Sequence, residues 1–195
     1  MKLSKFFKSA AIVAAASLTM AQTAIAQSTI LVVDQARVLR DSAAGKHVKR
    51  QIESIGKQME TEIKSQVTPL TGERDRLVAE LKNISVDALK TRPDLQQRAK
   101  SLQEKGQKSQ VEAAYKQREL QITEQKAIMK INKELEAILE ALVKERNADI
   151  ILDRSLVIYG GKTADVTDTV ISRLNGKIQS VTVVRERLPR KAAGQ

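Results

Sequence analysis

Between residues 48 and 84 the chain carries apolar side chains at Val48, Ile52, Ile55, Met59, Ile63, Val67, Leu70, Leu77, Leu81 and Ile84, with Arg74 interrupting the row. The row advances ten steps in 36 residues, a period of 3.6 that only an α-helix gathers onto one face. A strict heptad seam would advance by 3.5, so this stripe stays on one side of a helix without enforced supercoiling. Around it the surface is charged, with Glu-to-Lys pairs four apart (Glu53 and Lys57, Glu60 and Lys64) in the orientation that supports a solvated helix. A helix this long with so narrow an apolar face needs a partner along its length.

The sequence supplies one. A second helical run extends from about Asp94 to Asn147, and its later half carries the stripe Ile128, Ile131, Leu135, Ile138 and Leu142. From Ala99 to Lys126 the run is instead mostly Gln, Lys, Glu, Ala and Ser, so the pair is expected to pack well at its base and poorly toward its far end. Between the runs, Ser85 can cap a turn and Pro93 suits the first position of a helix, so the chain reverses near 83–94. At about 1.5 Å per residue the first helix, capped by Asp41 or Ser42, is roughly 65 Å long and the returning one roughly 80 Å. The arm therefore occupies 42–147. Pro69, with Gly72 just after it, falls inside the first helix, and a kink or break is expected there.

The arm is flanked by short β-branched runs. "TILVVD" at Thr29 to Asp34 reads as a strand, "ADIILD" and "LVIYG" read as two strands of an antiparallel hairpin, and "IQSVTVV" at 178–184 reads as a further strand. A last helix runs from about Thr167 to Leu174. The fold class is thus α+β: a long antiparallel helical hairpin on a small β body built from 27–41 and 148–184, with a basic flexible tail over 185–195. Strands of this size bury little surface alone, so Ile30, Val32, Ile151, Val157 and Tyr159 are expected to join copies of the chain. After Phe6 and Phe7, the only aromatic residues are Tyr115 and Tyr159, which suits an elongated protein better than a compact core.

The first 26 residues read as an export signal, with Lys2, Lys5 and Lys8 ahead of an apolar stretch and a small-x-small cleavage site ending at Ala26. The absence of cysteine favours a bacterial periplasm over a eukaryotic secretory route. Taking away the three signal lysines leaves 31 basic against 23 acidic residues, a net charge of +8 that points to acidic partners.

No motif points to catalysis. "GGKT" at 160–163 resembles the end of a phosphate-binding loop, but the required earlier glycine falls at Leu156, and no helix follows until Thr167. His47 is the only histidine, and the acidic residues alternate with lysines as on a solvated helix, so neither a metal site nor a cofactor site is expected. Specific nucleic-acid binding is disfavoured by the export signal and the lack of stacking aromatics. The chain reads as a non-enzyme.

The opening "TILVVDQARVLRDSAAGK", the long basic hairpin and the closing "ADIILDRSLVIYGGKTADVTDTVISRLN" together resemble the Skp/OmpH family of periplasmic chaperones, over about Ser28 to Asn175. The resemblance implies a homotrimer whose strands join in a β body and whose arms surround a cavity. There, unfolded outer-membrane β-barrel proteins would be held without ATP, with contact to anionic lipid or lipopolysaccharide. Pro69, Gly72 and the extension from Gly176 onward depart from that pattern.

The far end of the arm, from Lys82 to Lys108, carries seven basic and three acidic residues. Lys82, Lys90, Arg92, Arg98, Lys100, Lys105 and Lys108 are the expected charged contacts for an acidic unfolded client, and Ile84 an apolar one, with Val86, Leu89 and Leu95 nearby. The competing reading is a coiled-coil adaptor bridging envelope components, which would be expected to keep its apolar seam continuous to the end.

Overall fold

The computed structural model describes residues 28–190; the expected export signal with its cleavage after Ala26, and the last five residues of the tail, lie outside the described residues. The chain runs β1 (Ile30–Val33), α1 (Gln35–Asp41), α2 (Ala43–Lys82), α3 (Val86–Lys90), α4 (Pro93–Arg146), β2 (Ile150–Asp153), a 3-10 turn (Arg154–Leu156) and α5 (Thr167–Lys177). It is mostly helical, with one small sheet.

Local chemistry sets each junction of the arm. Asp34 caps α1 by accepting the Arg37 N–H at 2.7 Å, and Ser42 caps α2 by accepting the Gly45 N–H at 3.1 Å. Gly45 is irreplaceable on steric grounds, since a Cβ there would lie 1.6 Å from the Leu39 carbonyl oxygen where α1 turns into α2. At the tip, Ser85 caps α3 and Pro93 opens α4. Asn147 ends α4 in the left-handed region, at φ 46°.

The helices extend roughly 60 Å and 80 Å. Of the kink or break expected at Pro69, the break does not occur: α2 runs through it. Proline offers no N–H to the Ser65 carbonyl, but this is an exposed stretch where water can take that acceptor, and α2 packs on α4 through Met59 before it and Leu77 after it.

The sheet corrects two further expectations. β2 does not form a hairpin with the segment after it; it pairs in parallel with β1, in the register Ile30 to Ile150 through Val33 to Asp153. The whole arm is therefore the crossover between two parallel strands. "LVIYG" is not a strand, because Asp153 accepts the Ser155 N–H (2.8 Å) and hydroxyl (2.5 Å) and curls the chain into the 3-10 turn. The other side of β1 is taken by the loop before α5, through Val32 N–H to Ala164 O (2.8 Å) and Val166 N–H to Val32 O (2.9 Å). Residues 178–184 are not a strand either; they leave α5 and run along the arm.

The core lies where the body meets the arm's base: Leu31, Val33, Val38, Val48, Ile131, Leu135, Ile138, Leu142, Val170 and Leu174 are buried in one cluster. α5 is fastened over it by Arg173 to Glu145 (2.6 and 2.8 Å), and Arg37 to Asp168 (2.5 Å) ties it to α1.

Candidate functional site

At the tip, the side chains expected to face a partner divide into two groups. Arg92 binds Asp94 through two nitrogens at 2.8 Å and Glu80 at 3.0 Å; Arg98 binds Glu73 (2.8 and 3.0 Å) and Glu80 (2.8 Å); Lys90 binds Asp87 at 2.9 Å. Arg92 and Arg98 thereby cross-link α2 and α4, and the Arg92 guanidinium holds the Asp94 carboxyl down to about 2. Lys82, Lys100, Lys105 and Lys108 are exposed and enter no ion pair among the described residues. Leu95 and Leu77 are buried, while Ile84 and Leu89 are half-buried, so the apolar residues of the tip close the turn; the side chain of Val86 lies outside the description.

Below the tip the two helices part. A cleft of about 450 Å³ opens between them, lined by Ile63, Val67, Leu70, Leu102, Gly106 and Ala113 among others. Gly106 contributes no side chain, and nothing lies within 4 Å of where its Cβ would be. This is the loosely packed outer arm that the Gln- and Lys-rich composition predicts.

In the middle of the arm the end of the expected strand and the described part of the expected flexible tail, together 181–190, are instead docked, because the arm offers their backbone and arginines specific partners. Val181 is buried, Arg185 grips Glu62 through both nitrogens (2.8 and 3.0 Å), and Arg190 grips Glu112 (2.9 and 3.0 Å) and Glu119 (2.6 Å). Lys116, itself buried, completes the cluster on Glu62 and Glu112. The Arg185 guanidinium first, then the Lys116 ammonium, hold the Glu62 carboxyl down to about 2. For Glu119 burial works against ionisation, yet the Arg190 and Leu188 hydrogen bonds outweigh it and its pKa is lowered.

In the body, the five residues expected to join copies behave differently. Val32 is buried in the chain's own fold and Ile151 packs on its core, so neither is a free contact; both lie where β1 and β2 pair. Val157 is half-buried, whereas Ile30 is exposed and Tyr159 is 90% exposed. Leu156 and Ile158, absent from that expectation, are 75% and 103% exposed beside it, and Ile150 is also exposed. Their signal was the same apolar run that reads as a strand: without a partner strand, its side chains face outward.

The Gly-Gly-Lys-Thr stretch forms a turn, closed by Ala164 N–H to Gly161 O at 3.1 Å. Before α5, where a phosphate would sit, the Asp165 carboxylate accepts the Thr167 N–H at 2.9 Å, an acidic occupant that opposes anion binding. His47 faces Gln51 and the Val181 carbonyl. Among the described residues there is no group of three or more His, Cys, Asp or Glu that could hold a metal, and no helix long and apolar enough to cross a membrane.

The model of the outer membrane protein (OmpH-like) family matches residues 29–174. The chain is also similar to a crystal structure, at 2.83 Å resolution, of a candidate outer membrane chaperone (OmpH-like) from Caulobacter crescentus CB15. The two share 29% identity with a TM-score of 0.69, over 84% of this chain and 93% of that one. Among curated proteins, none matches.

Proposed function

Since the chain belongs to the OmpH-like family, we propose that it is a periplasmic chaperone of the holdase kind, keeping unfolded outer-membrane β-barrel proteins from aggregating without ATP and without any catalytic step. The observation that carries this reading is the outer third of the arm. There a helical pair stands far from the body, exposes Lys82, Lys100, Lys105 and Lys108 without ion-pair partners among the described residues, and opens an apolar-lined cleft instead of a closed seam. Unpaired lysines attract acidic unfolded chains over distance and hold them loosely, which suits a client that must later be released.

The body supports assembly. Leu156, Ile158 and Tyr159 form a run of exposed apolar side chains, and such runs mark interaction surfaces. In this proposal the run is covered by neighbouring copies in a homotrimer, and the arms then enclose a shared cavity. The positive surface would also meet anionic lipid or lipopolysaccharide.

The test is light scattering on diluting a urea-unfolded outer-membrane barrel protein into the mature chain, without nucleotide and at two salt concentrations. Suppression should be strong at low salt, weaker at high salt, and reduced in a variant with Lys82, Lys100, Lys105 and Lys108 all changed to Glu, whose sedimentation matches the parent. Full suppression by that variant would remove the lysines from the mechanism. No suppression by the folded, oligomeric parent would favour the envelope adaptor.

A further inference from the structure

Near its base α4 turns an apolar face to its neighbours, but farther out the same face becomes polar: Lys116, Glu119 and Thr123 are 5%, 1% and 1% exposed. Burying such groups is unfavourable unless each meets a partner. Here Thr123 and Glu119 take partners from the chain's C-terminal segment, and Lys116 takes its own from the arm. Thr123 Oγ1 accepts the Glu186 N–H at 3.0 Å, and Glu119 accepts the Leu188 N–H at 2.9 Å and the Arg190 guanidinium at 2.6 Å. Lys116 is neutralised by Glu62, whose oxygens also take both nitrogens of Arg185.

Nearer the body the segment is held by its backbone. The Gln51 side-chain amide donates to Val181 O at 2.8 Å and its oxygen accepts the Val183 N–H at 3.3 Å, the two-way pairing a neighbouring strand would give. Lys130 donates to Thr182 O at 3.0 Å. At the outer end Arg190 lies over the Tyr115 ring, 4.5 Å from its centre.

We infer that residues 178–190 are an intramolecular strap, and that its seat, built by Gln51, Glu62, Glu112, Glu119, Thr123 and Lys130, is a binding site for an extended, arginine-bearing peptide segment whose occupation holds the polar middle of the arm together. The backbone contacts demand an extended chain. The two arginines fix its register: five residues apart, they converge on one carboxylate cluster, Arg185 on Glu62 and Arg190 on Glu112, with both approaching Glu119 and with Lys116 bridging Glu62 and Glu112. On the tip side of the contacts between Arg190 and Glu112, the pair of helices opens into the cleft around Leu70 and Gly106. A single arm would be braced this way as well as an assembled one.

The test is hydrogen exchange on the full mature chain carrying Arg185→Glu and Arg190→Glu. Backbone amides of 56–66 and 112–127 should exchange about 10-fold faster or more, while those of 131–142 keep their protection, because local openings report only the contacts that close them. Adding a synthetic peptide of residues 178–190 at about millimolar concentration, the range a short tether supplies, should restore protection. The same peptide with both arginines changed to Glu should not. Unchanged exchange in the variant, an equal loss over 131–142, or failure of the unaltered peptide to restore protection would each overturn the inference.

Discussion

The base and the outer reach of one helical pair are built from different materials. At the base, Ile131, Leu135, Ile138 and Leu142 of α4 are buried in a cluster of apolar side chains, with the ion pairs that fasten α5 at its margin. In the middle, α2 and α4 meet through Glu62, Lys116, Glu119 and a third segment; beyond Glu112 they part around a cleft. The same two helices therefore pass from a dry seam to a strapped one to an open one. Dry packing tolerates no added atom, a charge network tolerates movement but not loss of ionisation, and an open seam tolerates almost any small side chain.

Placing one methyl group at each end separates these regimes most sharply. Gly45→Ala at the base sets a Cβ 1.6 Å from a backbone oxygen, so α1 and α2 must shift against a core that includes Val38, Ala44 and Val48. A cost of about 4 kcal/mol or more is expected, read as a lower urea midpoint and early exchange across the body. A loss below about 1 kcal/mol would mean that the junction yields easily and that the base is not rigid in the sense argued.

Acid should weaken the middle through Glu62. The Glu62 carboxyl is held down to about 2 from an ordinary 4.5, so its folded form stays ionised where the unfolded chain has begun to take up protons. A depressed carboxyl contributes stability that is fully present above about 4.5 and is lost as pH falls through about 2. Glu62 is nearly half exposed, which limits the gain to about 1 kcal/mol. The difference in urea midpoint between the parent and Glu62→Gln should be constant near neutral pH and vanish toward pH 2. A difference that persists at that pH would mean that Glu62 acts by packing alone.

The arm was legible in the sequence because its information is local: the 3.6 period, Ser42 and Ser85 at helix starts, and Pro93 at the first position of α4 each act within a few residues. The parallel pairing of β1 with β2 was not, since strand propensity states neither partner nor direction, and the partner is about 120 residues away, as in Thr29 N–H to Asp149 at 2.8 Å. The strap was misread as a strand and a loose tail because "VTVVRERLPR" forms its bonds to side chains across the arm. A signal was present: Lys116, Glu119 and Thr123 continue, at spacings of three and four, the row that Ala127, Ile131 and Leu135 begin. Polar residues at core positions imply a partner, whereas composition alone suggested only poor packing. The run of tip charges is visible in the sequence, but geometry had to separate Arg92 and Arg98, spent on Glu73, Glu80 and Asp94, from the lysines that enter no ion pair among the described residues.

The smallest expected effect carries the most about the outer arm. Gly106 lies inside α4 on the wall of the cleft, and an added Cβ would meet nothing within 4 Å. Alanine there restricts the unfolded chain without crowding the folded one, so Gly106→Ala should stabilise the protein by about 0.5 kcal/mol, the low end for an exposed helix interior. Stiffening this wall should also slow amide exchange over 100–112 while leaving 131–142 unchanged. The sign decides between two pictures of the cleft. A gain means that the helices stand apart at rest, as the open lining implies. A loss means that they close on each other in solution, with Gly106 as the point of approach, and the contrast between the base and the cleft would then describe two states of one seam.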